Sequence, residues 1–219
     1  MGECYGNQNW EGDSAMKKEE KDLLRLKSIL DEIDVPFFLI EGTLLGAIRD
    51  GTLIEYDKDF DIGIDIDIDN KAMRDDILHE ISKRGLKVTL LGPEPNPNKP
   101  SYWFLIEGLK WQTALLPYIV VNEWAVFATI PIKFPVKLFQ NLLPFQFLGT
   151  EFLVPNPPED YLDLNYGKTW KMSAQRRYII KGSDPIEVYK FPVLEKAYLK
   201  CKKDGTLIEP LESIGLQLD

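Results

Sequence analysis

The chain has 219 residues, 44% of them hydrophobic, which suits one domain with a substantial core and argues against wholesale disorder. A formal net charge of −9 speaks against a broad basic surface for nucleic acid, although a local basic pocket stays compatible with it. Cys4 and Cys201 lie at opposite ends of the sequence and His79 is the single histidine, so neither a structural zinc site nor a histidine-dependent triad is expected.

Residues 1–16 are polar and without periodicity, which predicts a flexible N-terminus ahead of a single domain over 17–219. The first thirty residues lack an apolar run after a basic start, so no signal peptide is expected. No stretch approaches the roughly 18 apolar residues that cross a bilayer, and the expected setting is cytoplasmic.

From Lys17 to Asp34, Leu23, Leu26, Leu30 and Ile33 recur at spacings of three and four, which predicts an amphipathic helix ended by Pro36. Phe37–Ile40 reads as a buried strand, and Gly42-Thr43 opens a second helical stretch that Gly51 stops. Asp57, Asp59, Asp61, Asp65, Asp67 and Asp69 then share one parity while Phe60, Ile62, Ile64, Ile66 and Ile68 share the other, so an extended chain has an acidic and an apolar face. Asp69 is a candidate cap for a helix over Asn70–Arg84, whose buried side is marked by Met73, Ile77, Leu78 and Ile81. A strand over Lys87–Leu91, a Pro- and Asn-rich loop from Gly92, a hairpin of Tyr102–Ile106 with Trp111–Val121, and a further strand over Trp124–Ile130 follow. Prolines beyond 131 limit regular structure to short pieces, with one helix over Pro158–Tyr166 closed by Gly167.

The acidic run carries the chemistry. Residues two apart on a strand lie about 6 to 7 Å apart on one face, so their carboxylates can share an ion, and several aspartates on one face without a cation repel one another. The preceding Glu41-Gly42-Thr43-Leu44-Leu45-Gly46 follows a strand and starts a helix, where unpaired N–H groups favour a phosphate and glycine permits close approach. Arg49, one to two turns further on, is a candidate for the same anion or for a surface ion pair. Asp65, Asp67 and Asp69 read as exposed charge and helix capping, and His79 as a surface residue. Lys168, Lys171, Arg176 and Arg177 form a local basic cluster with a phosphate-facing role as one reading.

The run EGTLLGAIRDGTLIEYDKDFDIGI resembles the signature of the LicD and fukutin family, in which a Gly-Thr/Ser-Leu-Leu-Gly helix start precedes an aromatic residue and an Asp-x-Asp-x-Asp stretch. FLGTEFLVPNPPEDYLDLNYGKTW is similar to the family's later segment, here with Leu162, Tyr166, Gly167 and Trp170. The resemblance implies an α+β fold, a nucleotidyltransferase-like mixed sheet flanked by helices with a family-specific C-terminal elaboration. It implies Asp59 and Asp61 as catalytic metal ligands with Asp57 beside them, Gly42, Thr43, Gly46 and Arg49 on the phosphate side, and Tyr56 in place of the usual Trp. Mg²⁺ or Mn²⁺ is the implied cofactor. The implied reaction moves a phosphocholine or phosphoalditol group from a CDP-linked donor to a glycan or lipid-linked sugar hydroxyl, with no nucleic acid as partner and with peripheral contact at the inner membrane face as a variant setting. A nucleotidyltransferase adding a nucleoside monophosphate, and a non-catalytic nucleotide- or glycan-binding relative, stand as alternatives. Members place a further Asp on a later strand, whereas Lys110–Pro117 contains no carboxylate, which leaves Asp57, Glu107 or Asp65 as substitute third ligands. A carboxylate such as Asp61 is the residue type expected for a general base.

Overall fold

The computed structural model describes residues 16–92, 102–127, 133–168 and 170–171. Helix α1 (Lys18–Glu32) begins where the Glu20 side chain returns to the Lys17 N–H at 2.7 Å, and it buries Leu23, Leu26, Ile29 and Leu30. Leu23, Leu26 and Leu30 are the stripe read from the sequence, whereas Ile33 falls at the C-cap and is half-buried. Strand β1 (Phe37–Leu39) follows, then helix α2 (Glu41–Leu45), which runs on as a π-helical turn over Gly46–Asp50 and stops at the left-handed Gly51 (φ 66°).

Strand β2 (Asp59–Ile64) pairs antiparallel with β1 and parallel with β5 (Gln112–Val121). Strands β4 (Trp103–Glu107) and β3 (Lys87–Leu91) continue the sheet, giving the order β1-β2-β5-β4-β3. The β4–β5 hairpin turns at Gly108, whose φ of 97° is a conformation that glycine adopts without a side-chain clash. The long β5 outruns its first neighbours, and its last residues pair with β6 (Trp124–Phe127), which pairs with β7 (Lys133–Pro135). Helix α3 (Lys71–Lys83) links β2 to β3. Helix α4 (Lys137–Gln140), the separate hairpin of β8 (Leu143–Phe147) and β9 (Thr150–Val154), and helix α5 (Pro158–Tyr166) complete the described chain. The α+β mixed sheet flanked by helices is thus present.

Register assigns the faces. Phe60, Ile62 and Ile64 share one side of the sheet with Leu115, Phe104 and Ile106, and all six are fully buried in a core to which α1 and α3 also contribute. On the other side, Phe38 opposes Gly63, and an aromatic group of Phe38, Tyr118, Phe127, Phe134, Phe139 and Tyr161 joins the sheet to the C-terminal pieces. A Cβ on Gly63 would lie 2.5 Å from Phe38 Cζ and 2.9 Å from Cδ2, so only glycine lets that ring cross the strand.

Several expectations need correction. Asn70, not Asp69, caps α3, because its side chain accepts from the Met73 N–H at 3.3 Å. The Asp69 N–H instead bonds the Asp67 carboxylate at 3.2 Å. Met73 is 37% exposed and Arg74 takes the buried position beside Ile77 and Ile81, with its guanidinium 4.3 Å from the Tyr102 ring centre. Of the six aspartates that share one parity, only Asp59 and Asp61 lie on a strand, because β2 runs from Asp59 to Ile64. The expected flexible terminus lies outside the described residues except for its last residue, Met16, and so do the loop of residues 93–101, the end of the predicted Trp124 strand, and everything after 171.

Candidate active site

Alternation on β2 places Asp59 and Asp61 on the face opposite Phe60 and Ile62, Asp59 exposed and Asp61 half-buried. The same face continues through Gly63 to Asp65, but the stripe is interrupted. Phe38 covers Gly63, and the Tyr118 hydroxyl bonds the Asp65 carboxylate, four residues along the chain from Asp61. Burial, and then the Asp65 charge, push the Tyr118 hydroxyl far above its ordinary range. Asp65 therefore belongs to a different neighbourhood from Asp59 and Asp61. Asp57 is buried, 6% exposed, in the turn before the strand.

The parallel pairing with β5 sets Gln112 opposite Asp59 and Ala114 opposite Asp61. These are the neighbouring positions from which a further carboxylate would reach the pair, and neither is acidic. Glu107 lies on the next strand but binds Lys87 at 2.6 Å. Among the described residues, no three His, Cys, Asp or Glu side chains come together as a metal-binding group. Asp59 and Asp61 are thus a two-carboxylate pair on one face of β2, with no third acidic side chain opposite them on β5.

The turn at Gly42 sits directly behind this pair. The Asp61 N–H donates to Thr43 Oγ1 at 3.1 Å, and the Ile40 N–H reaches the Asp61 carbonyl at 3.4 Å. The strand and the start of α2 are thus fastened at Asp61. Gly42, Thr43 and Gly46 are all buried. Gly46 packs so closely on the chain that follows that a Cβ there would come within 2.6 Å of the Thr52 carbonyl oxygen, which accounts for glycine by packing. Arg49 forms a two-pronged pair with Asp50, at 2.8 and 2.6 Å, and also bonds the Tyr56 hydroxyl. The Asp50 carboxylate, ahead of Tyr56, holds its guanidinium above the ordinary range. Tyr56 is 51% exposed.

The later segment closes the core. Tyr166 and Trp170 are buried, and the Trp170 indole N–H donates to Asp163 at 2.9 Å. Lys168 also binds Asp163, which holds that carboxyl below its usual range. Lys171 lies 5.2 Å from the Trp170 ring centre, while Arg176 and Arg177 fall outside the described residues. His79 is exposed on α3, as its position suggested. Sequence reasoning assigned no role to Glu41 or Tyr161, which meet in the core at 2.7 Å although 120 residues apart. The available signal was a carboxylate set between Ile40 and Leu44, in a stretch otherwise destined for burial.

An acidic strand beside a buried strand-to-helix turn, on a mixed sheet backed by helices, is the α+β frame of the site. The family model described as LicD/FKTN/FKRP, nucleotidyltransferase domain, matches residues 34–157, and the chain belongs to that family. The chain is 29% identical over 168 residues to a human protein named ribitol-5-phosphate transferase FKTN, covering 74% of this chain and 35% of that protein. It is likewise 29% identical over 170 residues to the mouse protein of the same name, covering 71% and 34%. The chain thus spans about a third of the length of these relatives. A crystal structure of ANT(2″)-Ia in complex with adenylyl-2″-tobramycin superposes with a TM-score of 0.46 at 12% identity, covering 86% of this chain and 98% of that one. Among the described residues, no helix is long and apolar enough to cross a membrane.

Proposed function

We propose that the chain is a metal-dependent phosphotransferase that moves a phosphocholine- or phosphoalditol-type group from a CDP-linked donor to a glycan or lipid-linked sugar hydroxyl. The observation that carries this reading is the Asp59–Asp61 pair, set on the face of β2 opposite Phe60 and Ile62 and pinned through the Asp61 N–H to Thr43. The name of its relatives, ribitol-5-phosphate transferase, points to the phosphoalditol end of that range. Asp59 and Asp61 would hold Mg²⁺ or Mn²⁺, whose charge would neutralise the diphosphate. The turn at Gly42–Thr43 keeps the Asp61 carboxylate in place while the donor is oriented, and orientation is the larger part of catalysis for a phosphoryl group that needs little covalent help. The same reading keeps a cytoplasmic setting, with peripheral contact at the inner membrane face.

Incubation with CDP-ribitol or CDP-choline, a glycan acceptor and Mn²⁺ tests the proposal, with CMP release as the readout. The Asp59→Asn/Asp61→Asn variant should retain its melting temperature and lose turnover by about 10³-fold or more; undiminished turnover in the folded variant overturns the assignment. Pyrophosphate release from a nucleoside triphosphate would instead identify a nucleotidyltransferase.

One structural observation favours a second reading. With Gln112 and Ala114 opposite the pair, the site lacks an acidic neighbour on β5, as a non-catalytic nucleotide- or glycan-binding relative would. Calorimetric binding of a CDP-donor with Mn²⁺ but without product would establish that case.

A further inference from the structure

Behind the acidic strand sits a buried carboxylate with no assigned work. Glu41 is 4% exposed, opens α2, and has a φ of 48°, in the left-handed region that costs a residue with a side chain more than it costs glycine. The fully buried Tyr161 of α5 donates its hydroxyl to Glu41 Oε1 at 2.7 Å, and the Glu41 N–H approaches the same hydroxyl at 3.4 Å. Burial, then the carboxylate beside it, hold the Tyr161 hydroxyl well above its ordinary range, so it keeps its proton and acts as donor at neutral pH. The tyrosine ring cannot drift. It stacks on Phe134 with centres 4.4 Å apart and meets Phe139 edge-on.

From Glu41 the connection to the acidic strand is short. Two residues on, Thr43 accepts the Asp61 N–H, and one residue back, Ile40 donates to the Asp61 carbonyl. A pair serving packing alone would be met by apolar side chains, without the cost of burying a carboxylate beside a strained backbone. We propose that Glu41 and Tyr161 are positioning residues: they form a brace by which α5 fixes the left-handed turn at Glu41 and, through Thr43, the placement of Asp61. The structural part stands without any assigned chemistry, while the consequence for turnover rests on the phosphotransferase reading above.

Amide hydrogen exchange on the full chain separates the two. In Tyr161→Phe, which keeps the ring stack, protection of the Asp61 amide and of the 41–46 segment should fall by about tenfold or more while α1 and β4 stay unchanged. Exchange that rises uniformly, or not at all, overturns the brace. Should Tyr161→Phe fail to fold, Thr43→Val cuts the next link and is read at the Asp61 amide in the same way. Glu41→Ala should reproduce the loss of protection, and Glu41→Gln, which keeps the acceptor oxygen, should recover most of it. In the CMP-release assay, kcat of Tyr161→Phe should fall about 10- to 100-fold with KM for the donor little changed. Glu41→Gln that abolishes turnover with protection intact would make Glu41 a proton-transfer group and overturn the positioning role. Absence of turnover in the unaltered protein would count against the functional reading alone, since the exchange result still decides the brace.

Discussion

Replacing Gly63 with alanine adds one methyl group at the place where Phe38 crosses β2. The new Cβ would stand 2.5 Å from Cζ and 2.9 Å from Cδ2 of that ring, far inside van der Waals contact. Phe38 is fully buried and has Phe139 at 5.3 Å, Tyr118 at 6.2 Å and Phe127 at 6.5 Å between ring centres, so it has nowhere to go without displacing a second ring. Overpacking of this kind costs about 1–3 kcal/mol, and the confinement of Phe38 puts Gly63→Ala at the upper end. At about 2–4 °C per kcal/mol for a chain of this size, the melting temperature should fall by about 4–12 °C. Differential scanning calorimetry measures it directly. Pairing the change with Phe38→Leu should return part of the loss, because the shorter side chain vacates the collision. A single Gly63→Ala variant that melts within 1 °C of the unaltered protein would refute the claim that the ring dictates glycine there. It would also weaken the argument that Phe38 separates Asp65 from the Asp59–Asp61 pair.

Two further predictions follow from the same face. Ala114→Asp places a carboxylate opposite Asp61 across about 5 Å of parallel sheet, so without divalent ions it should destabilise the fold through like-charge repulsion, and Mn²⁺ should restore the loss while its affinity tightens about tenfold or more; a calorimetric Mn²⁺ affinity equal to that of the unaltered protein would contradict the register or the metal role. Tyr118 and Tyr161 both have hydroxyls raised above the ordinary tyrosine value near 10, so above that pH the unfolded chain loses protons that the folded chain keeps. Stability should therefore be complete below about pH 10 and fall as pH rises beyond it, and denaturant midpoints for Tyr118→Phe should show a shallower alkaline decline.

The helices were legible because their signal is local and repeated. Leu23, Leu26 and Leu30 state the buried stripe of α1 outright, and Pro158 and Gly167 bracket α5. Strand parity was equally legible, since Phe60 and Ile62 could only face a core. What parity cannot give is where a strand stops. β2 ends at Ile64 because the ladder runs into prolines on both sides: the Asp65 N–H still reaches the Pro36 carbonyl at 3.0 Å, but Pro36 and Pro117, which lies opposite Ile64, have no N–H to return. Asp67 and Asp69 keep their phase in sequence and lose it in space. Arg49 illustrates another limit, because a sequence spacing that reaches toward an anion does not reveal that the adjacent Asp50 already supplies one. Glu41 and Tyr161 were hidden for the plainest reason, that contacts across 120 residues leave no periodic trace.

The distribution of positive charge narrows what the proposed site requires. A diphosphate approaching Asp59 and Asp61 meets two carboxylates in a protein of net charge −9, so something cationic must intervene. Among the described residues, Arg49 is paired with Asp50 and Lys168 with Asp163. Lys58, beside Asp59 in sequence, has the opposite parity, and its ammonium lies over the Trp111 ring, 5.4 Å from the centre. Freeing Arg49 would strand the Asp50 carboxylate and lose the two-pronged bond that the pair now makes. A divalent ion arriving with the donor has neither cost, because it binds the two aspartates and the phosphates at once. On the phosphotransferase reading, with a divalent ion shared by the aspartates and the diphosphate, the apparent affinities for donor and metal should be mutually coupled, each tightening the other by the same factor. Titrations of CDP-donor at fixed Mn²⁺, and of Mn²⁺ at fixed donor, should return equal coupling factors for the unaltered protein and a factor near one for Asp59→Asn/Asp61→Asn. Donor binding that is tight and indifferent to the metal would mean that a protein cation does this work and that the aspartate pair does not.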